Sequence, residues 1–366
     1  MLSGGSSEAQ RRTVSRADDA RGPYFRDQTA IIHSSPFRRL KHKTQVFFAP
    51  RNDHICTRIE HVLHVATIAA TICKGLNGKG FSLDPELAEA IGLGHDVGHA
   101  PFGHTGEEIL ATLAQGHGGF VHELHSLRVL DRLCNGGKGL NLTYAVRDGV
   151  LFHCGERFEQ SLKPRDDLCA LEVVDQAAWA HTHPITWEGC AVRMADRVAY
   201  LGRDVEDAVE AGIIEERAVP ATVQANLGTR NGEIIDAFVV DFIAASSPDR
   251  GITLSDQKYE LMRELFHFSF THIYRNERLL AYHEHCERIL RGLFDFLVEL
   301  EGNAQRRECP RLRIEAVYAH YRQRYGAMHD SESATPERRI IDFLAGMTDL
   351  FAIDSMAEVS LPGPLF

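Results

Sequence analysis

From about residue 56 onward, apolar residues recur at intervals of three and four positions, the spacing of one face of an α-helix, and not in the alternation of a β-strand. The first such run consists of Ile59, Leu63, Ala66 and Ala70. Before the next run, Asp84 and Pro85 supply a helix N-cap and the proline favoured at the first helical position. Comparable runs continue to about residue 351. The pattern predicts an all-α fold, with helices joined by short turns.

The N-terminal segment lacks this periodicity. Residues 1 to 25 are rich in Gly, Ser, Arg and Asp, and we expect them to form a flexible tail. Further along, the glycine-rich breaks at 78–80, 116–119 and 135–137 are too short to be domain linkers. No internal repeat is present in the sequence.

Charge and cysteine content exclude several classes of protein. Acidic residues outnumber basic ones by 51 to 40, which gives a net charge of −11. A protein that coats nucleic acid depends on broad positive charge instead. The eight cysteines form no Cys-x-x-Cys pair, and no signal-peptide pattern is present, so we expect reduced thiols in a cytoplasmic protein. No uninterrupted apolar stretch approaches the roughly 18 to 20 residues that span a bilayer, so no membrane association is expected.

Histidine is unusually frequent. Fourteen of the 20 histidines lie between His33 and His183. Residues 94–99 (GHDVGH) follow a predicted apolar helix and place the imidazole of His95 beside the carboxylate of Asp96. Both groups are suitable ligands for a borderline divalent metal.

Two further residues complete a candidate ligand set. His61 precedes this stretch on a predicted helix, and Asp196 follows it on another. Each residue taken alone is more often an ordinary core histidine or a surface carboxylate. The ordered combination of two nitrogen and two oxygen ligands predicts a metal site.

A series of motifs resembles a known family. They are residues 37–47 (FRRLKHKTQVF), 53–61 (DHICTRIEH), 95–107 (HDVGHAPFGHTGE), 119–123 (GFVHE), 139–143 (GLNLT), 195–200 (ADRVAY) and 345–349 (AGMTD). With these motifs in this order, the chain resembles the HD-domain deoxynucleoside triphosphate triphosphohydrolases, the dGTPase-like family. The resemblance covers roughly residues 30 to 352.

The resemblance implies a fold and a reaction. It implies an HD-domain helical bundle over residues 26–210, with residues 211–366 as a C-terminal helical extension packed on this core. In the implied reaction, water attacks the α-phosphorus of a deoxynucleoside triphosphate (dNTP), and deoxynucleoside and inorganic triphosphate are released. The base preference stays open, with dGTP or several dNTPs as substrates.

The resemblance also implies roles for particular residues. It implies that a divalent ion (Mn, Mg, Co or Ni) is bound by His61, His95, Asp96 and Asp196. It implies that His104 and Glu107 form a catalytic pair, with His122 nearby. Residues 104 and 107 are three positions apart, so on a helix their side chains share a face and can hydrogen-bond.

A triphosphate substrate needs positive charge close to the metal. The basic candidates are Arg38, Arg39, Lys43 and Arg58, for which the alternative is a solvated basic face. Asn141 is a substrate-binding candidate by resemblance. Tyr274 could stack on a base or deoxyribose, although aromatic residues at such spacing more often belong to the core.

Two other functions remain open at this stage. An HD phosphodiesterase, or another nucleotide phosphohydrolase with two metals, would draw extra ligands from His99, His104, His122 and His125. A nucleotide-sensing regulator would bind dNTPs without turnover. The resemblance also implies a homo-oligomer and a dNTP that acts as an allosteric activator; binding of single-stranded nucleic acid is not indicated.

Overall fold

A computed structural model of the chain describes residues 2–48, 54–153, 159–174 and 176–361. These residues are largely α-helical, which confirms the all-α prediction. The first nine helices are α1 (Ser7–Gln10), α2 (Gly22–Ile32), α3 (Ser35–Arg39), α4 (Arg58–Asn77), α5 (Pro85–Gly94), α6 (Gly103–Leu113), α7 (His122–Arg128), α8 (Tyr144–Leu151) and α9 (Gln176–Trp179). They are followed by α10 (Trp187–Glu210), α11 (Ala221–Leu227), α12 (Asn231–Ala245), α13 (Asp256–Ser269), α14 (Glu277–Gly302), α15 (Ala304–Glu308), α16 (Arg313–Ser331), α17 (Pro336–Ala345) and α18 (Asp349–Ser360).

Short irregular elements join these helices. Single turns of 3₁₀-helix lie at Leu40–His42, Cys134–Gly136, Leu171–Val173 and Glu216–Ala218, and π-helical turns lie at Val129–Leu133 and Phe270–Tyr274. The strands found in the described residues are β1 (Ser161–Leu162) and β2 (Ile252–Thr253), which pair antiparallel with Leu162 opposite Ile252. The cysteines within the described ranges form no disulfide.

The larger hydrophobic core surrounds α4. This helix begins with a capping box between Thr57 and Glu60 and packs against α5, α10 and α12. Among the described residues, α4 is the one helix long and apolar enough to cross a membrane, with a mean hydropathy of 1.2. However, 56% of that window is buried inside the fold, and burial against neighbouring helices accounts for its composition.

A second hydrophobic core lies under the C-terminal helices. It contains residues of α14, α16, α17 and α18 together with Ile109 and Leu110 of α6. Because α6 contacts α14 and α17, this helix of the predicted HD core is held in place by the C-terminal extension.

Asp349, at the start of α18, fixes the beginning of α6. Its carboxylate accepts hydrogen bonds from the backbone N–H of Phe102 (2.9 Å) and from the backbone N–H of Thr44 (2.7 Å). Phe102 has a φ of 67°, a left-handed conformation that a non-glycine residue seldom adopts. The buried carboxylate therefore stabilises the sharp turn that directs α6 toward the site.

The N-terminal segment differs from the expected flexible tail. Ala9 is fully buried, and the guanidinium of Arg12 lies 2.5 Å from the carboxylate of Asp27 on α2. The backbone N–H of Tyr144 donates to the carbonyl of Arg11 over 2.7 Å. These contacts satisfy backbone and charged groups that a tail would leave to water, so residues 9–12 are packed on the core despite their polar composition.

Candidate metal and acid–base site

Helices α4 and α10 bring His61 and Asp196 together. Nε2 of His61 lies 2.9 Å from Oδ1 of Asp196. Burial opposes ionisation of Asp196, but the adjacent His61 outweighs it and lowers the pKa of this carboxyl to about 2. Asp196 is thus a carboxylate at neutral pH, as a cation ligand must be.

His95 and Asp96 lie where α5 ends. Nδ1 of His95 lies 2.7 Å from the carbonyl oxygen of Gly92. A carbonyl can only accept a hydrogen bond, so Nδ1 carries the proton and Nε2 carries the lone pair. That Nε2 atom lies 3.8 Å from Oδ1 of Asp196 and 3.7 Å from Oδ1 of Asp96.

The four residues fit a divalent cation. Nε2 of His95 is buried and has no hydrogen-bond partner among the described residues. An unsatisfied buried nitrogen destabilises a fold unless something binds it. Two imidazole nitrogens and two carboxylates around this atom form a donor set that suits a borderline divalent metal. The structure therefore brings together all four predicted ligands, and a bound cation would satisfy the orphaned nitrogen.

Arg58 pairs with one of these ligands. It is almost fully buried and hydrogen-bonds through Nη1 to the carboxylate of Asp96. Burial disfavours the charged form of Asp96, yet the Arg58 guanidinium holds the pKa of this carboxyl well below its usual range. In this structure Arg58, predicted to bind substrate, orients Asp96 from within the protein.

A second group of residues contains the predicted catalytic pair. Nδ1 of His122 lies 2.9 Å from Glu107, whereas Nδ1 of His104 lies 3.7 Å from the same carboxylate. The side chain of His104 is 53% exposed, and that of His122 is 9% exposed. The structure therefore places Glu107 closer to His122 than to His104, the partner that the family resemblance implies.

Glu107 and His122 stabilise each other's charged forms. Burial disfavours the imidazolium, but the Glu107 and Glu123 carboxylates outweigh it and raise the pKa of His122 well above its ordinary value. In turn, burial disfavours the carboxylate form of Glu107, but the adjacent His122 outweighs this effect and holds the pKa of Glu107 well below its usual range. The result is a protonated imidazole beside a carboxylate inside the protein.

The two groups meet at Asp96. Nε2 of His122 lies 3.7 Å from Oδ1 of Asp96. This approach depends on Gly98, because a Cβ there would lie 2.2 Å from the backbone nitrogen of Ser126 on α7. Glycine thus allows the turn after Asp96 to contact α7 closely. His99, in the same turn, stacks on the ring of His122 with a centroid distance of 4.5 Å.

Comparisons with known proteins match most of the chain. The model of the HD domain family matches residues 58–201, and that of the phosphohydrolase-associated domain matches residues 252–358. A protein of Caldanaerobacter subterraneus subsp. tengcongensis named deoxyguanosinetriphosphate triphosphohydrolase-like protein is 35% identical over 348 residues, or 95% of this chain and 88% of its own length. This chain belongs to the deoxyguanosinetriphosphate triphosphohydrolase-like family.

Two other relatives are also named deoxyguanosinetriphosphate triphosphohydrolase-like protein. The relative from Desulfatibacillum aliphaticivorans is 35% identical over 94% of this chain and 89% of its own length. The relative from Geobacter sulfurreducens is 31% identical over 94% of this chain and 90% of its own length. The family resemblance predicted from the sequence is confirmed, and HD domains are metal-dependent.

His153 is a site residue that the sequence reasoning missed. It follows α8, is buried, and has ring centroids 4.7 Å from His95 and 5.4 Å from His122. Burial, with smaller effects from His95 and His122, lowers its pKa to about 3. A lone histidine after a helix has no distinctive spacing. The sequence feature that could have indicated its role is a position just after a helix, which it shares with His95.

The other predicted substrate-binding residues of this triphosphohydrolase-like protein lie in different environments. Arg38 is exposed, whereas Arg39 is desolvated near Tyr325, and burial lowers its pKa. Lys43 is buried, and its ammonium group donates to the carbonyls of His99 and Ala345. In this structure Lys43 therefore links the turn after Asp96 to the end of α17.

Asn141 lies at the N-terminal segment in the structure. Its side chain exchanges two hydrogen bonds with the backbone of Val14, at 2.9 and 2.8 Å. Those contacts account for its polar side chain without a substrate. Tyr274 lies nearer the site, since its hydroxyl is 2.5 Å from Oδ2 of Asp204 on α10. Burial raises the pKa of Asp204 to about 7, against the lowering effect of the Tyr274 hydrogen bond and, to a smaller extent, of His61 and His104.

His125 points away from the metal ligands. Its Nδ1 atom lies 2.7 Å from the carbonyl of Gly98, and Nε2 lies 3.5 Å from Asp342 on α17. Of the extra ligands considered for a two-metal enzyme, His125 is thus directed toward the C-terminal helices. His99 and His122 remain near Asp96, and their ligand atoms lie within 4.8 Å of one another and of that carboxylate.

Proposed function

We propose that this chain hydrolyses dNTPs to deoxynucleoside and inorganic triphosphate, by attack of water at the α-phosphorus. The observation that carries the proposal is the 3.7 Å approach of His122 to Asp96, which joins the candidate metal ligands to the Glu107–His122 pair. Phosphoryl transfer needs both a cation that stabilises the negative charge of the phosphate and a group that transfers a proton. Family membership supports nucleotide triphosphates as the substrate class.

The metal part of the proposal rests on four residues. His61, His95, Asp96 and Asp196 would hold a divalent cation, with Mn, Mg, Co and Ni as candidates. Such a cation would supply Lewis acidity toward an α-phosphate oxygen. Arg58 keeps Asp96 ionised and fixed in orientation.

The acid–base part is assigned to His122 and Glu107. Glu107 binds Nδ1 of His122 and keeps the ring protonated, so the proton on Nε2 faces the Asp96 side of the site. From there His122 donates this proton to the departing 5′ oxygen of the deoxynucleoside. His104, which is half exposed and 3.7 Å from Glu107, lies where it can contact the triphosphate from the solvent side.

A product-resolved assay tests the reaction. Each dNTP and NTP is incubated alone and in pairs with Mn²⁺, Mg²⁺, Co²⁺ or Ni²⁺, and triphosphate, pyrophosphate and nucleosides are separated. We expect inorganic triphosphate and deoxynucleoside in equal amounts from at least one dNTP. Pyrophosphate with deoxynucleoside monophosphate would contradict attack at the proposed bond, and tight dNTP binding without turnover would favour the regulator.

One observation favours a second enzyme class. Ligand atoms of Asp96, His99 and His122 all lie within 4.8 Å of one another, which leaves room for a second cation beside the first. A two-metal phosphodiesterase or nucleotide phosphohydrolase would use such a pair. Two tightly bound ions per chain in the purified protein would favour this class, and one ion favours the triphosphohydrolase.

A further inference from the structure

His153 presents its ring in the same way as His95. Nδ1 of His153 lies 2.6 Å from the carbonyl of Val150, and Nδ1 of His95 lies 2.7 Å from the carbonyl of Gly92. Both contacts span three residues at the end of a largely buried helix, α8 or α5. In both rings the carbonyl fixes the proton on Nδ1, so the lone pair is on Nε2. This tautomer is the one in which a histidine binds a metal through Nε2.

The position of His153 also matches that of a ligand. One ligand atom from each of His95, Asp96 and His153 lies within 4.8 Å of the others, and the same holds for His61, His95 and Asp196. The two sets share His95, whose Nε2 is buried and has no hydrogen-bond partner among the described residues. All five residues are at least nine-tenths buried. His95 thus joins the two sets, and His153 also forms a group of this kind with His122 and Glu123.

We propose that His153 is a fifth protein ligand of the divalent cation and adds a third imidazole to the centre. The proposal rests on the metal centre of the proposed function, but it concerns cation binding and is independent of which nucleotide is hydrolysed. A six-coordinate ion with five protein donors keeps one position for an oxygen of substrate or water.

The third imidazole has a consequence for metal selectivity. Mg²⁺ prefers oxygen ligands, whereas imidazole suits Zn, Cu, Fe and Ni. A centre with three imidazoles discriminates against Mg²⁺ more strongly than one with two. The ratio of Ni²⁺ to Mg²⁺ affinity therefore depends on His153.

The first test counts nitrogens in the unaltered protein. The full chain is loaded with Mn²⁺, and pulsed electron paramagnetic resonance measures the number of directly bound imidazole nitrogens. Three nitrogens support the proposal, and two overturn it. Because no substitution is involved, this result does not depend on the folding of a variant.

The second test measures Ni²⁺ affinity by calorimetry. His153→Ala is expected to weaken Ni²⁺ binding by at least about tenfold, the lower end of what loss of even an outer-sphere partner costs. Added imidazole should restore binding, because it can occupy the space left by the ring. His153→Gln should bind with intermediate affinity, since its amide oxygen reaches the position of Nε2. If the alanine variant does not fold, the glutamine variant decides.

The matched control is His125→Gln. His125 is equally buried and also bonds a carbonyl through Nδ1, but its Nε2 atom faces Asp342. We expect Ni²⁺ affinity in this variant to match that of the unaltered protein. Unchanged Ni²⁺ affinity in a folded His153 variant would overturn the proposal.

The outcomes also separate this proposal from the proposed function. If the protein binds no cation and releases no triphosphate, the metal-dependent function itself fails. If it binds a cation through two imidazoles and releases triphosphate, only the assignment of His153 fails.

Discussion

The carboxylate of Glu107 on α6 contacts both the ring and the backbone of His122, the first residue of α7. Its Oε1 atom lies 2.9 Å from Nδ1 and 2.7 Å from the backbone nitrogen of His122. A negative charge at this end of a helix is stabilised by the free N–H groups of the first turn. One carboxylate therefore caps α7, orients the imidazole and keeps it protonated.

Glu107→Gln is expected to lower kcat at least about 100-fold, the lower range for loss of a positioned proton donor. The amide accepts the same backbone hydrogen bond but removes the charge that raises the pKa of His122. An acid is active below its pKa, so the alkaline limb of the kcat–pH profile should move to lower pH. Steady-state assays across pH measure both effects.

Glu108→Gln is the matched control for that change. Glu108 is the next residue, its side chain is 73% exposed, and its carboxylate lies 3.8 Å from Nδ1 of His283. We expect its kcat and alkaline limb to match those of the unaltered protein. An alkaline limb that stays in place in Glu107→Gln would contradict the role assigned to His122.

His61→Ala should remove the bound cation, whereas His64→Ala should retain it. Both residues lie on α4 one turn apart, but only His61 faces Asp196, at 2.9 Å. We expect cation affinity to fall by at least about 100-fold in His61→Ala, beyond the usual effect of an outer-sphere partner. Elemental analysis after dialysis measures the metal content, and equal loss in both variants would indicate a structural effect of α4.

Asp342→Asn is expected to lower the free energy of unfolding by about 3–5 kcal/mol, as breaking a buried ion pair does. The Asp342 side chain is fully buried and accepts from Arg128 at 2.7 Å, Arg338 at 2.7 Å and His329 at 3.1 Å. Denaturant unfolding measures the change. Glu260→Gln, which removes an exposed pair with Arg263, should cost below about 1 kcal/mol.

The Glu188→Gln variant is expected to be more stable than the unaltered protein at pH 8, with little difference between the two at pH 4. Glu188 is 1% exposed, and burial raises its pKa from 4.5 to about 7. The folded state binds this proton more tightly, so stability contributed by the protonated form is lost as pH rises from 4.5 to about 7. The amide keeps the hydrogen bond from the Asp84 N–H and does not ionise.

The expected gain for Glu188→Gln is on the order of 1–3 kcal/mol above pH 7. Denaturant unfolding at pH 4, 6 and 8 measures it. A constant difference between the two proteins across this range would show that the pKa of Glu188 is the same in the folded and the unfolded state.

Local patterns predicted the helices and singled out the candidate metal ligands, because both leave short-range signals in the sequence. Apolar spacing places His61 in the first turns of a helix, and the glycines around His95 and Asp96 end another. Asp196 lies in the middle of α10. The fold class and family were predictable for the same reason. The assembly of four ligands at one point follows from the packing of α4, α5 and α10.

The environment of the basic residues could not be predicted in this way. Lys43 lies in the basic stretch of residues 38–43, and Arg58 lies in a motif that also contains Asp53 and Glu60, but both basic side chains are buried. Their partners include Ala345 and Asp96, and the first of these is 302 residues away. Burial that depends on such distant contacts leaves no periodic signal near the residue itself. His153 was missed for the same reason.

The packing of α6 has a consequence for how this protein can be divided. A fragment that ends near residue 210 would contain all the residues assigned here to catalysis and cation binding, from His61 to Asp196. It would nevertheless leave Ile109 and Leu110 of α6 without the apolar partners that α14 and α17 provide. Such a fragment should bind the cation more readily than it hydrolyses a nucleotide. A fragment limited to the HD match would therefore contain α6 without the C-terminal helices that hold it in place.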